Sequence, residues 1–407
     1  MSRPAGLSQW ETTVSTHLPA LSPAQATVLA LWSFGMVLAR SCGITSVAAL
    51  LAPLLDAKEN TVRQRLREWC YDAQHKRGAK RQDLDVTTCF VPLLRWIVRL
   101  WSGTCLALAI DATSLSDQFT ILTISVVYRG MGIPVAWTIL PANQKHAWKH
   151  EWLRMLRLLR PAIPPDWTVL VLADRGLYAP WLYRRIVRLG WHPFLRINQG
   201  ATFRPTGQAK WYWLRELVSE VGQRWRGAGT AFKSTDRHLA CTLVAWWETG
   251  HKEPWFILTD LDADGCDAAW YGLRAWCEQG FKWNKRGGWQ WQQTRMSDPA
   301  RASRLWLALA VATLWLVSVG SGLEDGLGAA GAADGALPDL RALLGSAARG
   351  RRRLRVARLG GLWLLVCLIT AQPLPVPQHL VPDPWPEIPQ RLDLLLPHQN
   401  ALSYVPI

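Results

Sequence analysis

The sequence has no pair of cysteines in the C-x-x-C spacing of a zinc knuckle, although it contains eight cysteines. Thiols scattered in this way indicate neither a structural zinc site nor a disulfide framework. We therefore expect a reduced chain in the cytoplasm. No apolar segment typical of a secretory signal follows the first residues, so we expect no export.

Acidic residues are few relative to basic ones, with 30 Asp and Glu against 46 Lys and Arg and a formal net charge of +16. This excess of positive charge favours a polyanionic partner such as nucleic acid. Long apolar runs are also missing, because the longest, roughly Leu305 to Val319, is shorter than the ~20 residues that span a bilayer. The run predicts a buried core helix, and we expect no membrane partner. The composition excludes a disordered tail protein and a membrane transporter.

Residues 1–100 are predicted to form a helical DNA-binding domain. Apolar residues recur there every three or four positions, which is typical of amphipathic helices. Residues 45–69 predict two helices separated by a short polar break, as in a helix-turn-helix motif, and the second helix carries Arg63, Arg65 and Arg67. An ordinary helical hairpin with a basic, solvated side is the alternative.

The periodicity changes to alternation from Cys105 onward. Residues 101–199 predict three consecutive strands and then helix, strand, helix and strand, which is typical of a mixed sheet with helices on its faces. Residues 200–262, rich in Trp, Arg, Gly and Thr, predict a β-rich insertion. Residues 263–320 return to a helical pattern and complete the α/β core.

Residues 321–407 are predicted to be a linker and a C-terminal region. The stretch 320–339 is rich in Gly and Ala and predicts a connector with too little bulk for a core. The basic run 349–358 predicts either a DNA-contacting face or a solvated helix. Beyond Pro373 the prolines predict a segment that is either extended on the surface or mobile.

Two carboxylates lie in unusual positions, because Asp111 and Asp174 each end an otherwise apolar predicted strand. An aspartate there is unfavourable unless it has a cation to hold, and ligands of open sheets bind at strand ends. With a third carboxylate from a helix, such a pair can hold two Mg²⁺ ions for in-line attack on a phosphodiester. The alternative is that each aspartate caps a turn.

The segment WYGLRAWCEQGFKWNK supplies the third carboxylate. Tyr271, Arg274, Glu278 and Lys285 are separated by three, four and seven residues. At ~100° per residue, these offsets place all four side chains on one face of a continuous helix. The alternative is a solvated surface ion pair between Arg274 and Glu278, which would contribute only ~0.3–0.5 kcal/mol.

These residues resemble a known family. The pattern Tyr-x2-Arg-x3-Glu-x6-Lys is the signature of a group of bacterial insertion-sequence DDE transposases, and ADRG around Asp174 resembles their second motif. The resemblance covers Ile110 to about Leu316. It implies a ribonuclease H-like mixed sheet core that is interrupted by a β-rich insertion between the second aspartate and the glutamate. The long interval between Asp174 and Glu278 matches that insertion.

The resemblance also implies roles for individual residues. Asp111, Asp174 and Glu278 would be the catalytic ligands of two Mg²⁺ ions, with Mn²⁺ as a substitute. The residues that would contact DNA phosphates are Tyr271, Arg274 and Lys285, with Lys282 and Arg175 as further candidates. Arg175 could equally pair with a nearby carboxylate. A tryptophan of the insertion would hold a flipped base, for which the candidates are Trp225, Trp246, Trp247 and Trp255. A role in the core is the alternative for each of them.

The function implied by the resemblance is that of a bacterial, nucleoid-associated DNA transposase. Such an enzyme binds terminal inverted repeats, cleaves the element ends and joins them to double-stranded target DNA, acting as a homodimer on paired ends. These phosphoryl transfers use no ATP, and the chain lacks a G-x-x-x-x-G-K-[ST] loop. The alternatives are a metal-dependent DNA nuclease and a catalytically silent regulator derived from a transposase.

Overall fold

A computed structural model describes residues 5–77, 81–142, 148–329 and 356–388. The chain forms two compact units, the first comprising Met1–Trp167 and Ala275–Asp383, and the second comprising Thr168–Arg274 and Pro384–Ile407. Residues 330–339 of the predicted connector, and residues 349–355 of the basic run, lie outside the described residues.

The described helices, in chain order, are α1 (Ala5–His17), α2 (Pro23–Ala39), α3 (Ile44–Leu54), α4 (Glu59–Trp69), α5 (Phe90–Leu100), α6 (Lys149–Leu159), α7 (Pro180–Arg188), α8 (Leu214–Leu217), α9 (Ala275–Lys282), α10 (Pro299–Ala329) and α11 (Val356–Ile369). The strands are β1 (Cys105–Leu115), β2 (Phe119–Tyr128), β3 (Met131–Pro141), β4 (Thr168–Ala173), β5 (His192–Arg196), β6 (Thr202–Pro205), β7 (Tyr212–Trp213), β8 (Arg224–Ala231), β9 (Leu239–Trp246) and β10 (Trp255–Thr259). Short 3₁₀-helices include Ala268–Arg274 and Trp291–Gln293, and a π-helix spans Trp283–Gly287.

Helices α3 and α4 occupy the two positions predicted for a helix-turn-helix motif. The N-terminal side chains of α2 fix its start, because the Ser22 hydroxyl accepts from the Gln25 backbone N–H and the Gln25 side chain accepts from the Ser22 N–H. This capping box satisfies two backbone donors at the helix start. Helix α2 packs against α3 and α4, and its Trp32 and Phe34 side chains are both fully buried.

Strands β1, β2 and β3 form an antiparallel meander in the first unit. The β2–β3 turn is tight because Arg129 and Gly130 both have positive φ, 41° and 79°, as a two-residue hairpin of this hand requires. We predicted that strand β1 ends at Asp111, but the strand continues to Leu115. The prediction was wrong because residues after Asp111 keep pairing with β2, down to Leu115 opposite Phe119.

Helix α10 is the predicted core helix, and it is longer than the predicted run. By length and composition it could cross a membrane, but 94% of its most apolar window is buried within the protein. A helix that is apolar on all sides is typical of a core. We predicted a connector from residue 320 onward, but residues 320–329 belong to α10, so this part of the prediction was wrong. Gly320 allows α10 and α11 to pack closely, since a Cβ at this position would overlap the Val356 carbonyl of α11.

The C-terminal segment of the first unit is extended, as predicted, but it is not confined to the surface. Leu374 and Leu380 are buried, and Leu380 forms a parallel bridge with Trp101. Its backbone N–H donates to the Leu100 carbonyl, 2.7 Å away. Two buried apolar side chains and hydrogen bonds to its backbone therefore anchor the segment.

The second unit contains a mixed sheet in the order β4-β5-β10-β9-β8-β6-β7. Strands β4 and β5 are parallel and are connected through α7, and the other pairs are antiparallel. The strands from β6 to β10 form the predicted β-rich insertion. Along the chain, the order of β1–β3, α6, β4, α7 and β5 is the predicted one. The prediction of a mixed α/β fold with a β-rich insertion is confirmed.

Candidate active site

The first group of predicted site residues lies in the first unit, on β1 and the helical segment that covers it. Asp111 is partly exposed, and its Oδ1 accepts from the Ala112 N–H at 2.9 Å. Alternate residues of a strand point to the same face, so Thr113 shares the face of Asp111. The turn-capping alternative for Asp111 is wrong, because the residue lies within a paired strand.

Lys285 lies on this same face of β1. Its ammonium group donates to the Thr113 hydroxyl and to the Ser114 carbonyl, both at 2.6 Å. Burial, and then the charge of Arg286, lower the pKa of the Lys285 ammonium group. The amine is thus held about two residues along the strand from Asp111, a spacing of roughly 7 Å.

Glycines set the position of the helix that carries Glu278. Helix α9 packs on β1, β2 and β3, and a Cβ at Gly280 would lie 2.7 Å from the Gly132 carbonyl oxygen and 3.1 Å from its Cα. Glycine at position 280 therefore allows the backbone of α9 to approach β3 directly. Glu278 precedes this contact by two residues, a rotation of about 200°, and is exposed together with Lys282.

The segment that carries the signature is not one continuous α-helix, so the prediction of a single helical face was wrong. It begins as a 3₁₀-helix through Arg274, continues as α9, and ends as a π-helix that contains Lys285. These three types have different rotations per residue, so a constant 100° does not hold across the segment. Tyr271 and Arg274 fall in the second unit and Glu278 and Lys285 in the first.

The second group of predicted residues surrounds Asp174 in the second unit. Strand β4 ends at Ala173, so Asp174 follows the strand as predicted, and its carbonyl accepts from the Leu177 N–H in a turn. The Asp174 carboxylate also contacts the Arg274 guanidinium at 3.4 Å. Arg274 is buried, with a side-chain exposure of 10%. A buried guanidinium requires a paired anion, and Asp174 supplies one.

Tyr271 is buried next to this pair. Its ring meets that of Trp255 edge to face at 5.3 Å, and the Arg196 guanidinium lies 5.9 Å from its centroid. Burial raises the pKa of the Tyr271 hydroxyl, although the nearby Arg274 opposes the shift. The phenol is therefore neutral and can donate a hydrogen bond.

Two site residues were missed by the sequence analysis, Arg196 and Glu253. The Glu253 carboxylate accepts from Arg175 at 2.7 Å and from Arg196 at 2.8 Å. Of the two alternatives for Arg175, the pairing with a carboxylate is the one observed. Arg196 ends the apolar strand β5, which is the same signal that identified Asp174, so the sequence could have indicated it.

The four candidate tryptophans differ in their surroundings. Trp225 is 5% exposed and packs against Phe203, which is typical of a core residue. The Arg224 guanidinium lies 3.9 Å from the Trp246 ring centroid, and the Trp247 indole N–H donates to the His251 carbonyl at 2.9 Å. Of these candidates, Trp255 is the one in ring contact with a signature residue, Tyr271.

The three arginines of α4 do not form one basic face. A separation of two residues rotates a side chain by about 200°, so Arg65 lies opposite to Arg63 and Arg67. Arg65 lines a cavity together with Asn60 and Gln64, whereas Arg67 lines a different one. Arg63 donates to the Asn60 side chain at 2.6 Å.

The donor chemistry of Asp111, Asp174 and Glu278 fits a hard divalent cation, because Mg²⁺ prefers carboxylate oxygens. In the described part of the chain, no three His, Cys, Asp or Glu side chains are grouped closely enough to hold a metal ion. The Arg274 guanidinium is the cation that Asp174 contacts in this structure.

Comparison with known proteins identifies a family. The sequence matches the family described as Transposase DDE domain over residues 107–315, slightly more than half of the chain. No curated protein matches the sequence. Among solved structures, it is similar to one described as the cryo-EM structure of piggyBac transposase synaptic complex with hairpin DNA, with a TM-score of 0.34 and 9% sequence identity, covering 86% of this chain and 84% of that chain. Because the family match covers more than half of its residues, this protein belongs to the family of transposase DDE domains.

Proposed function

We propose that this protein is a DNA transposase of the bacterial insertion-sequence type, which cleaves the ends of its element and joins them to target DNA. The observation that carries the proposal is the extent of the family match, because residues 107–315 include Asp111, Asp174 and Glu278. The same stretch contains the complete signature from Tyr271 to Lys285.

In this proposal, Asp111, Asp174 and Glu278 hold divalent metal, two Mg²⁺ ions per site with Mn²⁺ as a substitute. When bound, the metal supplies Lewis acidity, which activates a water or a 3′-hydroxyl and stabilises the leaving oxygen.

The basic side chains of the signature bind and orient the phosphate. Two hydrogens of the Lys285 ammonium group donate to β1, and the third remains for a phosphate oxygen on the Asp111 face. The Arg274 guanidinium neutralises Asp174 and would be a bidentate donor to a phosphate. The neutral hydroxyl of Tyr271 would donate a hydrogen bond to a phosphate oxygen.

The DNA partner is double-stranded DNA, first as terminal inverted repeats and then as target. The net charge of +16 supports this assignment, as do the exposed Arg65 and Arg67 of α4. We further propose a homodimer on paired ends, located in the bacterial cytoplasm with the nucleoid. A dimer is the simplest assembly that holds both ends at once.

The proposal is tested by cleavage of a plasmid that carries the DNA flanking the gene, in the presence of Mg²⁺. The wild type is compared with Glu278→Gln and Asp111→Asn, and Glu220→Gln, an exposed acid of the second unit, is the matched control. We expect discrete cuts by the wild type and the control. The two site variants should bind DNA without cutting it.

Three results separate the alternatives. Joined products after cleavage indicate a transposase, whereas cleavage without joining indicates a nuclease. Specific binding without cleavage in Mg²⁺ or Mn²⁺ would contradict the catalytic proposal and indicate a regulator derived from a transposase.

A further inference from the structure

The cavity lined by Arg67 lies in the first unit, and none of the proposed catalytic carboxylates lines it. It has a volume of about 610 Å³ and lies between the start of α3, the end of α4 and the segment that leads into α10. Its lining includes Ser41, Thr45, Ser46, Arg67, Arg295 and Arg301. A cavity of this size accommodates a phosphodiester group of a DNA strand with its solvent.

The charge of the lining is positive. Arg67 and Arg295 are exposed, and Arg301 is partly buried with its guanidinium 4.5 Å from the Tyr71 ring centroid. The acidic residue of the lining, Asp298, accepts from the Arg301 backbone N–H at 2.9 Å. One of its oxygens is therefore committed to the start of α10, and the three guanidinium groups outweigh its charge.

The start of α3 adds backbone donors to the same cavity. Gly43 precedes the helix without a side-chain cap, and the first helical hydrogen bond runs from the Val47 N–H to the Gly43 carbonyl. The N–H groups of Ile44, Thr45 and Ser46 therefore have no acceptor within the helix. All three residues line the cavity. Free donors and the positive end of the helix dipole both favour an anion.

We propose that this cavity binds a backbone phosphate of DNA and anchors the duplex at a point away from the catalytic carboxylates. The inference rests on the proposed function, because DNA is the polyanion that it assigns to the protein. Arg67 would then position the DNA backbone, whereas Arg65, which lines the other cavity, would not contact this phosphate. Contacts to phosphates carry no sequence information, so the anchor should act equally on all sequences.

The test uses the full chain and fluorescence anisotropy of labelled duplexes in EDTA, where no cleavage occurs. Binding is measured between about 50 and 200 mM salt for the element end and for a random duplex. Arg295→Gln should lower the slope of log affinity against log salt by about 0.9, as expected for one lost phosphate contact, and Arg67→Gln should do the same. Arg188→Gln, an exposed arginine at the end of α7, is the matched control and should leave the slope unchanged.

A second variant separates loss of the anchor from loss of folding. Ser46→Asp places a carboxylate in the first turn of α3, where a negative charge stabilises a helix. We expect its melting temperature to stay the same or rise while its DNA affinity falls several-fold. Unchanged DNA affinity at an unchanged or higher melting temperature would contradict the proposal.

The possible outcomes distinguish this inference from the proposed function. If the wild type binds DNA and the cavity variants keep its salt slope, the anchor is refuted while the proposed function stands. If the wild type binds no DNA even at low salt, the proposed function itself fails. Inorganic phosphate, followed by ³¹P line broadening, serves as the competing small anion. Binding of phosphate that depends on Arg295, without a change in the DNA salt slope, would show that the cavity holds free phosphate and would overturn the proposal.

Discussion

Replacement of Gly280 by alanine is expected to move the helix that carries Glu278 without unfolding the protein. The added Cβ would lie 2.7 Å from the Gly132 carbonyl oxygen and 3.1 Å from the Gly132 Cα. Both atoms belong to the backbone of β3, so neither can turn aside as a side chain could. Because comfortable contacts of carbon begin near ~3.5 Å, α9 must retreat from the sheet by roughly 0.5–1 Å.

The expected effects on stability and on activity differ. Overpacking costs about 1–3 kcal/mol, and the higher helix propensity of alanine returns about 1 kcal/mol, so the free energy of unfolding should fall by about 0–2 kcal/mol. A displacement of about 1 Å at a reacting group can lower a rate by about 10²-fold. We therefore expect DNA cleavage to fall by roughly 10- to 100-fold.

The assay is Mg²⁺-dependent cleavage of the flanking DNA, with thermal unfolding measured in parallel. Gly287→Ala is the control, because its Cβ would lie 3.6 Å from the Trp283 ring, an ordinary contact. Gly132→Ala approaches the same interface from the strand, with its Cβ 3.0 Å from the Cys277 Cα, and should behave like Gly280→Ala. Wild-type cleavage and an unchanged melting temperature for Gly280→Ala would refute the reasoning.

Three further predictions concern the first unit. Arg304 donates to the Cys70 carbonyl at 2.6 Å and to the Leu84 carbonyl at 3.2 Å. Arg304→Met should therefore lower the free energy of unfolding, measured by urea titration, by about 3–5 kcal/mol. An unchanged urea midpoint would contradict this prediction. Burial raises the pKa of the Cys70 thiol to about 12, whereas Cys105 is exposed. When the folded protein is treated with iodoacetamide near neutral pH, mass spectrometry should find Cys105 labelled and Cys70 unlabelled. Burial also raises the pKa of the Tyr128 hydroxyl from 10.0 to about 12, so the unfolded state loses this proton first and stability falls between these two pH values. At about pH 11 the free energy of unfolding of the wild type should have fallen by about 1.4 kcal/mol more than that of Tyr128→Phe. Equal pH profiles of stability for the two proteins would refute the assignment.

The sequence identified the candidate carboxylates more reliably than it identified where the strands that carry them end. Asp174 was predicted at the end of a strand and lies there, because β4 is a short apolar run with no pairing beyond Ala173. Asp111 was placed at a strand end by the same rule, yet its strand continues to Leu115. The apolar pattern stops where β1 becomes partly exposed, but hydrogen bonding to β2 does not depend on that exposure.

The signature segment shows a second limit of periodicity. Spacing identified Tyr271, Arg274, Glu278 and Lys285 as a set, but a constant rotation per residue could not anticipate the change from 3₁₀- to α- to π-helix. Local sequence does not determine such a change, because it depends on what each part packs against: the 3₁₀-helix contacts β9 and β10, whereas α9 contacts β1 to β3.

Long-range partners explain what the sequence analysis missed. The Glu253 carboxylate pairs with Arg175 and Arg196, which are distant along the chain. No local pattern connects a glutamate in a turn with an arginine at the end of a strand. The sheet register brings Arg196 opposite Ile257 of β10, and thus near the turn that precedes that strand.

The location of Asp111 within a paired strand limits how this part of the gene can change. Inserting or deleting one residue between Asp111 and Leu115 would turn every following side chain to the opposite face of the sheet, including Thr113, which holds Lys285. The turn after Asp174 forms no hydrogen bonds to a neighbouring strand, so insertions and deletions are tolerated there. Length variation among related chains should therefore accumulate after the second aspartate and be almost absent after the first.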